Sequence, residues 1–187
     1  MFGKKKKKQL DPIVLGDYSL RSALPEQLSD IRRLILEAAK NKPSLVGLSY
    51  QDLKGADEKF WFSWINSFVE NPRSLLGIIS YKDNNPIGFI IIEGETEQKF
   101  WHTVTLTPIY IQEDFRDEVI EKSLLEGALN QLHKSTNIKK VKMSLTPDNA
   151  QEFPLYGSAG FVRFGFDEQH LKVGKKFYDC VLLVKSF

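Results

Sequence analysis

Apolar and polar positions alternate with a period of two from Asp17 to Leu24 (DYSLRSAL), which predicts a strand. The period then changes: PEQLSDIRRLILEAAKN opens on Pro25 and puts Leu28, Ile31, Leu34, Ile35 and Ala38 on one helical stripe. Asn41 and Pro43 stop that helix. Ser49, with Asp52 three residues on, predicts the cap of a second helix that carries Phe60, Trp61, Phe62, Trp64 and Phe68 and ends at Asn71 and Pro72. SLLGIISYK and PIGFIIIEG are apolar runs on either side of Asp83, Asn84 and Asn85, residues that tolerate left-handed backbone, so a hairpin is expected. KFWHTVTLTPIYI continues as a third strand. From Glu113 to about Lys134 the period is helical again, with Phe115, Val119, Ile120, Leu124, Ala128 and Leu132 on or near one face. IKKVKMSL reads as a strand, DNAQEFPLYGSAG as a short helix interrupted near its start by Pro154, and GFVRFGF and KKFYDCVLLVK as two last strands. The order β α α β β β α β α β β predicts one α/β (α+β) domain whose mixed, mostly antiparallel sheet of six or seven strands is flanked by helices.

Composition narrows the picture. The chain has 187 residues, 42% hydrophobic and 27% charged, enough apolar mass for one continuous core and too much for a disordered chain. The longest stretch without a charged side chain ends at Gln112 and reads as a strand, so no membrane span is expected. Cys180 is the single cysteine and makes no internal disulfide, for which a reducing cytoplasm is the default. The net charge of +2 is misleading, because five of the 26 basic residues are Lys4 to Lys8; the 21 that remain stand against 24 acidic residues. Residues 1–12 are therefore expected to be a disordered basic tail and residues 13–187 the folded domain. The tail lacks the apolar core of a signal peptide, and its charge carries no specific preference for nucleic acid.

The C-terminal third carries a more specific pattern. Asn149 and Ala150, then Leu155 and Tyr156, then Gly160 and Phe161 stand as NAxxxxLYxxxGF, followed by the strand GKKFYDCVLL. Together with the element order, this resembles the GNAT superfamily of N-acetyltransferases from about Asp17 to Lys185. The resemblance implies direct attack of an acceptor amine, on a small molecule or a protein, upon the thioester of acetyl-CoA. It also implies that the strand at Ile109 to Ile111 splays from the strand at Val141 to Leu145, lending the backbone amides of Ile109 and Ile111 to the cofactor. Asn149 would bind along the cofactor arm, and Tyr156 would protonate the departing thiolate; a phenol with a pKa near ~10 matches a thiolate of comparable basicity. Family members often pair through edge strands, and the last strand, ending at Phe187, is the expected edge of a homodimer.

One motif departs from the family. Its pyrophosphate loop reads (Q/R)xxGx(G/A), since glycines let backbone amides approach two phosphates closely. The matching segment here is RDEVIE, with Arg116 first, Val119 in place of the first glycine and Glu121 in place of the second. Glu113, Asp114, Asp117, Glu118 and Glu121 crowd five carboxylates around the same helix start. Such residues are ordinary helix stabilisers. They also compete for the place of a phosphate, with Val119 restricting the backbone and Glu121 opposing the anion. Two readings follow: an N-acetyltransferase whose loop, with Arg116 and nearby lysines, holds the diphosphate differently, and an inactive GNAT-fold binding or regulatory module that has lost normal CoA binding.

The remaining chemistry-bearing residues read as structural. Phe60, Trp64 and Phe68 share a helical face, expected to pack in the core. His102, with Glu93 as a rival base, falls in the strand period beside Val104 and Leu106 and is expected to be packed. His133 and His170 have no partners at metal-ligand spacing, so no metal is predicted. Cys180 alternates with apolar neighbours and reads as buried and inert. GxGxxG, GxxxxGK(S/T) and CxxC are absent, which removes the usual dinucleotide and ATP readings.

Overall fold

The structure, a computed structural model, describes residues 11–82 and 85–187. Its strands are β1 (Ile13–Leu15), β2 (Tyr18–Ser22), β3 (Leu75–Tyr81), β4 (Asn85–Gly94), β5 (Thr103–Ile111), β6 (Lys140–Leu145), β7 (Val162–Val173) and β8 (Lys176–Ser186). They form one sheet in the order β1-β2-β3-β4-β5-β6-β8-β7. The eighth strand, beyond the six or seven expected, is β1: three residues are too short to show a period, and Gly16, at φ 58°, turns the chain straight into β2. Every pairing is antiparallel except that of β5 with β6. The expected turn at Asp83 and Asn84, like residues 1–10 of the basic tail, lies outside the described residues.

The helices are α1 (Leu28–Asn41), α2 (Tyr50–Gly55), α3 (Glu58–Glu70), α4 (Glu118–Thr136) and α5 (Phe153–Ser158). The single second helix expected from the Ser49 cap is two. Ser49 caps α2 through the Asp52 amide, the chain leaves helical geometry at Ala56, and Asp57 caps α3 through the Phe60 amide. Of the face expected in the core, Phe68 is buried and Trp64 partly buried against it, whereas Phe60 is exposed; Trp61 and Ile65 complete the buried side. Two apolar clusters cover the two faces of the sheet. Ile31, Leu34, Ile35 and Ala38 of α1 meet Trp61 and Ile65 of α3, with Phe89 and Tyr110 of the sheet. Leu124, Leu125, Ala128 and Leu132 of α4 pack with Ile90, Ile109, Met143 and Tyr156 on the other face. Ile13 crosses α4 at Gly127, where an added Cβ would lie 2.7 Å from the Ile13 side chain.

Two further expectations are corrected. His102 does not lie in the strand, since β5 begins at Thr103; it is exposed in the preceding turn, where its carbonyl accepts from the amides of Lys139 and Lys140. The last strand is not an edge either. β8 runs between β6 and β7, so the long hairpin places β7 at the margin of the sheet. Cys180 is buried, and burial raises its thiol pKa.

Candidate functional site

The parallel pair β5–β6 is short. Thr103, Val104 and Thr105 face Lys140, Val141 and Lys142, and the ladder stops there, so the strands part toward Ile109 and Leu145. On its other side β5 carries a bulge, because Phe89 faces Tyr110 while Ile91 faces Thr107. The bulge contains Pro108, which has no N–H to give, and Ile109, whose N–H points away from the β4 ladder. That amide donates to the hydroxyl of Tyr156 at 2.9 Å.

Tyr156 is fully buried where α5 closes over the parted strands. Its pKa is raised well above the ordinary value near 10, first by burial and then by the negative charge of Glu152, with Glu121 adding and the Ile109 amide and Arg116 opposing. Asn149, 3% exposed, donates to Thr146 and to Ser44, the latter in the loop after α1. Ile109 and Ile111 are buried, their side chains toward α4. Tyr110 points the other way, where its hydroxyl donates to Glu37 of α1 at 2.9 Å and Gln112 donates to both oxygens of the same carboxylate. Burial, with Glu37 second, raises the Tyr110 pKa.

Glu152 joins these residues without a prior expectation, although as the single charge between Asn149 and Tyr156 it is an available signal. Glu152 is fully buried. One of its oxygens accepts from the Lys42 ammonium at 2.9 Å, and the other has no hydrogen-bond partner among the described residues. Lys42 and Ser44 have no signal in the sequence, since only the fold brings them to this place.

At the start of α4 the chain makes its own anion complex. A short turn at Glu113–Phe115 precedes the helix, and Asp117 caps it: one carboxylate oxygen accepts from the amides of Val119 at 3.0 Å and Ile120 at 3.1 Å. The Glu121 carboxylate faces inward. It is 1% exposed and takes the Arg116 guanidinium through both oxygens, at 3.0 and 3.1 Å. That hydrogen bonding is the first cause of the raised Arg116 pKa. Val119 projects outward, 73% exposed, in the first helical turn. The structure thus sets the Ile109 amide on Tyr156, brings Arg116 and Glu121 near enough to act on the Tyr156 pKa, holds Asn149 on Thr146 and Ser44, and turns the Val119 side chain outward.

No family model and no curated protein matches this chain. Solved structures do. Ribosomal-protein-S5-alanine acetyltransferase from Vibrio fischeri superposes with a TM-score of 0.80 at 14% identity, over 94% of this chain and 96% of that one. An acetyltransferase of the GNAT family from Streptococcus pneumoniae gives 0.77 at 18% identity, over 91% and 99%. YncA from Salmonella typhimurium, solved with its cofactor acetyl-CoA, gives 0.75 at 12% identity, over 91% and 94%. The chain has the fold of the GNAT acetyltransferases.

Proposed function

We propose that this chain is a GNAT-fold binding module whose cofactor cleft is closed by its own side chains, so that acetyl-CoA is held weakly or not at all. The observation that carries this reading is the start of α4. The Val119 and Ile120 amides already donate to Asp117, and Arg116 is spent on Glu121. A diphosphate seated there must displace Asp117 and approach the exposed carboxylates of Glu113, Asp114 and Glu118. To recruit Arg116 it must also strip a buried Glu121 of its partner, a change that costs roughly 3–5 kcal/mol in buried pairs. These residues do not fit a diphosphate.

A second reading has its own support. Tyr156 sits at the mouth of the parted strands with its hydroxyl on the Ile109 amide, and the structural neighbours are acetyltransferases. In that reading the chain transfers an acetyl group to a small-molecule or protein amine. Tyr156→Phe then lowers turnover roughly tenfold or more with CoA affinity nearly unchanged.

Calorimetry with acetyl-CoA separates the two. The closed-cleft reading expects weak heat or none from the wild type, and at least a severalfold gain in affinity for the double variant Val119→Gly, Glu121→Gly, which frees Arg116 and removes a carboxylate. Part of that gain is electrostatic and shrinks at high salt. Micromolar binding by the wild type, with no gain from the glycines, makes the transferase reading the better one.

A further inference from the structure

A concavity of about 440 Å³ lies between α5 and the β7–β8 hairpin, lined by Phe153, Gly157, Phe161, Arg163, Val181 and Leu183. Its volume falls in the range of small-molecule sites. None of these residues is Ile109, Arg116, Asn149 or Tyr156; the concavity adjoins Tyr156, whose ring meets that of Phe161 edge-on at 5.8 Å, and its test does not depend on acetyl-CoA. Phe161 and Leu183 form a nearly buried floor, each 5% exposed, and Phe153 and Val181 are half-buried walls. Gly157 keeps the α5 side low, since a Cβ built on it meets nothing within 4 Å.

The groove has one charged side chain. Arg163 is exposed and has no carboxylate within ion-pair distance among the described residues. Its guanidinium lies 5.7 Å from the centre of the Phe166 ring, a contact that restricts the side chain while leaving its charge unneutralised. An apolar trough with a single unneutralised cation selects a ligand with the complementary layout, an apolar body ending in one anionic group. A guanidinium matches a carboxylate in a two-pronged way that an alcohol or an amine cannot reproduce.

We propose that this groove binds a small monocarboxylic acid with an apolar chain or ring, its carboxylate on Arg163 and its body over Phe161 and Leu183. The probe is octanoate, titrated by calorimetry into the full chain, with octan-1-ol and octylammonium as controls. The expected result is one site per chain for octanoate, with binding by the two controls at least about tenfold weaker, as for the loss of a charge-assisted contact. Arg163→Gln lowers octanoate affinity by at least about tenfold and leaves octan-1-ol unchanged. Gly157→Leu fills the trough and abolishes binding of octanoate. Equal affinity for octanoate and octan-1-ol, no loss in Arg163→Gln, or no octanoate binding below its micellar concentration overturns the proposal. Should Gly157→Leu fail to fold, the exposed Arg163 variant still decides the matter, as it leaves the core untouched.

Discussion

The starts of α4 and α5 both follow short turns, at Glu113–Phe115 and Pro147–Glu152, and satisfy their side chains in different ways. At α4 the charged side chains find partners close by: Asp117 caps the helix that follows it, and Arg116 pairs with Glu121 five residues on, although the Phe115 carbonyl accepts from the distant Tyr18 hydroxyl. At α5 the partners are mostly distant, the short-range Asn149–Thr146 bond apart. Glu152 precedes the helix but caps nothing, and it reaches Lys42, 110 residues away; Asn149 reaches Ser44, and Tyr156 reaches Ile109. The first arrangement can form with little help from the rest of the fold. The second exists only after the sheet and α1 are in place, so α5 reports on tertiary packing and the start of α4 largely on its own sequence.

This contrast is open to direct perturbation. The largest effect is expected from Arg116→Met, which leaves the buried Glu121 carboxylate alone and should cost roughly 3–5 kcal/mol of stability in chemical denaturation. Adding Glu121→Met to it should recover most of the loss, because two apolar side chains leave no stranded charge; a double variant as unstable as the single one would show that Glu121 has another essential partner.

Tyr156→Phe should cost about 1–3 kcal/mol, since the Ile109 amide loses its acceptor in a dry place. In a chain of this size that is several degrees of melting temperature, and an unchanged melting curve would mean that water reaches the amide. The same substitution has a signature in pH. The folded-state pKa of Tyr156 is raised, so the native chain holds a proton that the unfolded chain releases near pH ~10. Its contribution is complete below that pH and is lost as pH rises toward the folded value. Stability of the wild type should therefore fall above pH ~10, and more steeply than that of Tyr156→Phe.

The smallest effect is expected at Asp117→Ala, about 1 kcal/mol, the usual worth of an N-cap. Because the cap is local, this loss should add to that of Tyr156→Phe within a few tenths of a kcal/mol. Clear non-additivity would show that the two helix starts are coupled through the cleft.

What the sequence determined by itself are the features with a local cause. Hydrophobic period placed the main strands, α1 and the body of α4; Pro25, Ser49, Asn71 and Pro72 marked helix ends; and the NAxxxxLYxxxGF pattern located α5 and Tyr156. Local pattern also misled where two causes overlapped. A strand of three residues carries no period, so β1 was missed, and an aromatic run hid the second cap at Asp57 that divides α2 from α3. Tertiary structure decided which charges are buried. RDEVIE brings Arg116 and Glu121 within reach of each other, and packing against the core buries the Glu121 carboxylate of that pair. Likewise only the fold puts Lys42 on Glu152, Ser44 on Asn149 and the Tyr156 hydroxyl on the Ile109 amide. The reason is physical: helix and strand signals arise from neighbours a few residues apart, whereas a buried polar group must find its partner wherever the chain returns, and burial without one costs kilocalories.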